Sequence, residues 1–112
     1  MAPKGTNSFS FSQKVGENFT IKINGNKTTG YGWFLLNRRE VKDMIIPLNM
    51  NVHESTNDYQ SESDLSRLGS PGYYLFKFKG IKSGTHPKLK FIQKRPWEAE
   101  ILSNLEVKIK LL

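Results

Sequence analysis

The sequence predicts an all-β chain, an immunoglobulin-like β-sandwich of about seven to eight strands. Three observations carry that reading. Apolar and polar residues alternate with period two in short runs along most of the chain. Glycine, proline, asparagine and serine separate those runs. No stretch makes a convincing amphipathic helix. A small barrel would show the same pattern. With no cysteine in the chain, either fold rests on apolar packing alone.

The elements follow in order. Phe9 and Phe11 alternate with Ser8, Ser10 and Ser12 in a first short strand. Phe19, Ile21 and Ile23 alternate with Thr20 and Lys22 in a second, half-buried one. Asn24-Gly25-Asn26 tolerates positive φ and opens a polar loop with two adjacent threonines, Thr28 and Thr29. A strand from Tyr31 to about Leu36 follows, with Trp33 assigned to the core. Residues 37–46 are charged and then apolar, which fits a turn or brief helix leading into a strand before Pro47. Leu48, Met50 and Val52 alternate with Asn49 and Asn51 and predict another strand. Residues 55–72 predict a long loop, with a short helical turn at Asp64–Leu68 and a turn signal in Gly69-Ser70-Pro71-Gly72. Tyr74, Phe76 and Phe78 alternate with Lys77 and Lys79 in a clear strand. Leu89 to Gln93 makes the next, broken at Arg95-Pro96-Trp97 because Pro96 donates no ladder hydrogen bond. Leu105, Val107, Ile109 and Leu111 alternate with Glu106, Lys108 and Lys110 in the last.

At 112 residues, with 37% hydrophobic and 12% aromatic content, residues 1–112 are expected to form one globular domain. No apolar run approaches the roughly 18–20 residues of a membrane span. The first residues lack a signal-peptide pattern, and the sequence assigns no compartment. Sequons occur at Asn18 and Asn26, and a glycan on Asn26 would crowd the threonine loop. The net charge is +7, with seven basic and five acidic residues in the first 60 positions and ten and five in the rest. A basic surplus favours an acidic partner or a solvated, solubilising face.

The residues argue against catalysis. His53 and His86 have no neighbours at metal-ligand spacing, so no metal and no cofactor are expected. Position 68 is Leu, so Ser70 does not complete a nucleophile elbow. Glu98 and Glu100 read as solvated charge. Three polar or aromatic loops remain, at 24–32, about 57–72 and 94–98. In an immunoglobulin-like topology these fall near alternate connections and cluster at one end, as a binding edge. Trp97 and Arg95 are residue types enriched at interface hot spots.

Together the three loops resemble the chagasin family of cysteine-protease inhibitors. Asn26-Lys27-Thr28-Thr29-Gly30-Tyr31-Gly32-Trp33 resembles its N-P-T-T-G-Y-x-W motif, and Arg95-Pro96-Trp97 matches its R-P-W motif. Gly69-Ser70-Pro71-Gly72 resembles its G-x-G-G motif less closely. Lys27 replaces the family's proline, which loosens loop pre-organisation and adds a charge, and Pro71 stands where the family has glycine. The resemblance implies a reversible, non-covalent, competitive inhibitor. It would form a 1:1 complex with a papain-like protease of cathepsin L or falcipain type, and would be monomeric when free. Thr28 and Thr29 would cover the catalytic Cys–His pair, with Thr28 closest. Gly69 to Gly72 would lie along the non-primed side, and Arg95 and Trp97 would pack on the primed side. Tyr31 and Trp33 would hold the first loop from beneath. Nucleic acid and membrane are not expected partners on this reading.

Two other readings use the same residues. A nucleic-acid-binding barrel would use the basic second half with Tyr73, Tyr74, Phe76 and Phe78, and requires those rings to be exposed. An immunoglobulin-like adhesion or carbohydrate-binding module would use the same rim. Neither needs both the threonine loop and the R-P-W loop.

Overall fold

A computed structural model describes residues 7–25, 29–61 and 72–112. The described residues form eight strands: β1 (Asn7–Gln13), β2 (Asn18–Gly25), β3 (Gly32–Leu35), β4 (Ile45–Pro47), β5 (Tyr59–Ser61), β6 (Gly72–Gly80), β7 (Lys88–Lys94) and β8 (Ser103–Leu111). They make two sheets. The first has the order β1-β8-β7-β3; the second has the order β2-β6-β4, with β5 also paired to β6. β1 runs parallel to β8, and the other ladders are antiparallel. The fold is the predicted all-β sandwich.

Period-two alternation decides which side chains meet between the sheets. Ile21 and Ile23 of β2, Tyr74, Phe76 and Phe78 of β6, Leu89 and Phe91 of β7, and Leu105, Val107, Ile109 and Leu111 of β8 are all buried. Their neighbours along these strands are more exposed, except Ile92, which is also buried. Phe76 and Phe91 meet with ring centroids 4.8 Å apart, one from each sheet. Tyr74, Phe76 and Phe78 are 4%, 0% and 0% exposed, which removes the stacking platform that the nucleic-acid reading required.

The expected strand at Leu48–Val52 does not form. Leu48 N–H still donates to Lys77 O (2.7 Å), but the Asn49 side chain then takes over the pairing with β6. Its amide donates to Leu75 O (2.8 Å) and its carbonyl accepts from Lys77 N–H (2.9 Å). The Asn51 side chain accepts from the backbone of His53 (2.9 Å) and turns the chain. Asparagine amides substitute for backbone partners, so the two residues read as the polar half of a strand are those that end it. Val52 is left 87% exposed.

β5 falls inside the stretch read as one long loop. Tyr59, Gln60 and Ser61 pair with Tyr74, Tyr73 and Gly72. Just before it, Asp58 pairs with Lys77 (3.1 Å), which holds its carboxyl below the usual value, and its carbonyl accepts from Leu75 N–H. Residues 37–44 form the expected turn, with Met44 and Ile45 N–H both donating to Val41 O. The helical turn expected at Asp64–Leu68 lies outside the described residues.

Candidate functional site

Two strand registers decide which loops meet. Gly25, the last residue of β2, pairs with Gly72, the first of β6. Gly32, the first of β3, pairs with Lys94, the last of β7. The connection from β2 to β3 therefore leaves beside the start of β6 and returns beside the end of β7. It crosses from one sheet to the other, and its stems neighbour those of the loop before β6 and the loop after β7.

Two buried side chains join these stems across the sandwich. Trp33 Nε1–H donates to Asn24 O at 3.2 Å, and Tyr74 Oη–H donates to Tyr31 O at 3.2 Å. Trp33 is buried and Tyr31 half-buried. Burial pushes the Tyr74 phenol above its ordinary value, and the neighbouring Tyr59 phenol adds to the rise. With a raised folded value, this contribution to stability is complete below the unfolded value of about 10 and is lost as pH climbs through the folded one. Tyr74→Phe is expected to lower the melting temperature by about 3–8 °C, for a hydrogen bond worth about 0.5–1.5 kcal/mol. The variant should also show a shallower alkaline loss of stability in thermal melts across pH. An unchanged alkaline limb would mean that the phenol does not hold the stem.

The third loop is a closed turn. Glu98 N–H donates to Arg95 O (3.0 Å), and Lys94 Nζ donates to Glu98 O (2.9 Å). Pro96 and Trp97 occupy the two central positions, where a proline φ suits the first. Trp97 is 72% exposed at the tip. Arg95 is held on both sides, its guanidinium 4.5 Å over the Tyr31 ring and Nη1 3.3 Å from Glu98 Oε1. The third loop thereby packs on the stem of the first.

Gly30 has φ +86°, a left-handed conformation that favours glycine. A Cβ there would lie 3.1 Å from Trp97 Cη2, so the indole edge rests against the Gly30 backbone while most of the ring stays open. Thr29 is exposed, and its Oγ1 accepts from Tyr31 N–H (3.4 Å). Gly72 is buried, and a Cβ on it would overlap the Tyr59 hydroxyl and the Gln60 carbonyl oxygen. Glycine at this position is what lets β5 lie against β6.

Of the residues singled out in the sequence, Thr29, Gly30, Tyr31, Trp33, Gly72, Arg95, Pro96 and Trp97 belong to this end of the sandwich. Asn26, Lys27, Thr28, Gly69, Ser70 and Pro71 lie outside the described residues. Sequence reasoning missed four participants: Asn24, Tyr59, Tyr74 and Glu98. Glu98 was legible, three residues after Arg95 in a proline turn. The hydroxyl role of Tyr74 was not, because its partner lies 43 residues away, in the stem that enters the opposite sheet. Among the described residues no group of three His, Cys, Asp or Glu could hold a metal. The site offers an exposed ring, backbone groups and a fixed guanidinium, which suits binding to another protein surface.

Comparison with known proteins gives the same picture. The family model described as Chagasin family peptidase inhibitor matches residues 12–111. No curated protein sequence matches the chain. Several solved structures share the fold, among them the following three. The cysteine protease inhibitor EhICP2 from Entamoeba histolytica has a TM-score of 0.69 at 19% identity, covering 99% of this chain and 100% of that one. Amebosin has a TM-score of 0.62 at 22% identity, covering 99% and 100%. PbICP-C, solved in complex with falcipain-2, has a TM-score of 0.66 at 20% identity, covering 98% and 92%.

Proposed function

This chain belongs to the chagasin family of peptidase inhibitors, and we propose that it blocks papain-like cysteine proteases reversibly, non-covalently and competitively, as one domain over residues 1–112. The observation that carries the reading is the meeting of three loop stems at one end of the sandwich, with Trp97 exposed against Gly30. PbICP-C, which shares the fold, was solved with a protease of this class.

The mechanism is a wedge. The segment Asn26-Lys27-Thr28-Thr29-Gly30 enters the active-site cleft, with Thr28 and Thr29 over the catalytic pair. Gly69 to Gly72 lies on one side, and Arg95, Pro96 and Trp97 on the other. No bond to the enzyme forms, so the complex dissociates intact. Tight binding comes from fixed stems: hydrogen bonds from Trp33 and Tyr74 and the Arg95–Tyr31 stack leave little freedom to lose on association. An edge of three loops can bury about 800 Å² per partner, the usual inhibitor size. The net charge of +7 speeds encounter with an acidic protease at low salt.

The test is a titration of the purified protein into papain or a cathepsin L-type protease, followed with a fluorogenic substrate at two salt concentrations. The expected result is stoichiometric, reversible, competitive inhibition, with an association rate that falls as salt rises. Absence of inhibition at micromolar concentration across several papain-like enzymes would overturn the proposal.

A further inference from the structure

The outer face of the first sheet carries a charge pattern that the protease-binding edge does not use. Lys88 of β7 pairs directly with Lys108 of β8, and Lys108 pairs in turn with Ser10 of β1. One step along, Lys110 pairs with Ser12. Leu111 N–H donates to Thr85 O, which carries the pairing back beyond the start of β7 and brings His86 alongside. Ser10, Ser12, His86, Lys88, Lys108 and Lys110 line one shallow depression of about 640 Å³.

Like charges directly opposite each other in a ladder are destabilising, yet here two lysines face one another. The only carboxylate projecting from β7 and β8 on this face is Glu106, which sits 3.9 Å from Lys88. Lys108 and Lys110 are exposed and have no carboxylate partner among the described residues. A row of lysine ammoniums flanked by serine hydroxyls is a set rich in donors, with Glu106 the one carboxylate beside it. It complements oxyanions arrayed along a chain.

We propose that this depression binds a sulfated polysaccharide. The face is pleated and open, and apart from the His86 imidazole no ring of the described residues lies free on it for a base to stack on. Phe11, at its margin, turns its ring to the other side of β1, edge-on to Phe19 at 5.7 Å. The depression also lies at the start of β7, whereas the protease-binding edge lies at its end. A bound polysaccharide therefore leaves the three loops free, and the inhibitor can act while held on an anionic matrix.

The test compares three proteins for binding to heparin, with neutral dextran as a blank: the wild type, Lys88→Gln/Lys108→Gln/Lys110→Gln, and Arg39→Gln/Lys42→Gln/Lys79→Gln, which loses the same charge elsewhere. The first triple variant should bind heparin about tenfold more weakly than wild type, while it inhibits the protease as well as the second triple variant, which has the same net charge. The second should bind within about twofold of wild type. Lys108→Gln alone should weaken binding about threefold and raise the melting temperature slightly, by relieving the opposed pair. This single change gives a readout should the triple variant not fold. Equal weakening by both triple variants would show attraction by net charge only and overturn the proposal. So would tighter binding to a single-stranded oligonucleotide or to phosphatidylserine vesicles than to heparin.

Discussion

Trp97→Ala is expected to raise the inhibition constant against a papain-like protease by about 30- to 1,000-fold, with fold stability changed by less than about 0.5 kcal/mol. The ring is 72% exposed at the tip of a turn that is closed by backbone and lysine hydrogen bonds rather than by the indole. Removing it opens no core cavity. What is lost is a large, rigid apolar surface, of the kind that contributes about 2–4 kcal/mol at the centre of an interface. Association should change little and dissociation should speed up, because short-range packing acts after encounter. Progress curves for inhibition, together with a thermal melt, separate the two quantities. A large fall in melting temperature would mean that the ring is part of the fold and that the site is wrongly assigned.

The opposite signature is expected from Phe76→Ala. Phe76 is fully buried, and its ring meets Phe91 of the facing sheet at 4.8 Å. Truncating such a residue loses its transfer free energy and leaves a cavity, at a cost of about 3–5 kcal/mol. That is a large fraction of the roughly 5–15 kcal/mol that holds a domain together. Calorimetry should show the melting temperature falling by roughly 10–25 °C. Well below that temperature the folded fraction should still inhibit with nearly the wild-type constant, because the loop stems are tied by Trp33, Tyr74 and Arg95 rather than by Phe76. If inhibition weakens in step with stability, the edge is not independent of the central core.

Much of this was legible in the chain. The run Tyr74, Phe76, Phe78 and the run Leu105 to Leu111 alternate so regularly that strand and core face can be read together. Leu48 to Val52 alternates just as regularly and is not a strand. Period alone does not register that Asn49 and Asn51 will spend their side-chain amides on backbone partners. β5 went unseen for a complementary reason. Its three residues carry little pattern of their own, and they become a strand because Gly72 leaves room for them beside β6.

The site divides along the same line. Local chemistry determined the turn at Arg95 to Glu98 and the left-handed Gly30, since proline and glycine act through their own backbone angles. The three loop motifs and their order were likewise in the sequence. Only the tertiary structure decided that Gly25 meets Gly72 and that Gly32 meets Lys94. It alone also decided that a tyrosine of one sheet holds the loop stem entering the other, and that two lysines share a ladder position. Those outcomes depend on strand register and sheet pairing. Both are set by the burial of the whole core at once, and no short stretch of chain contains them.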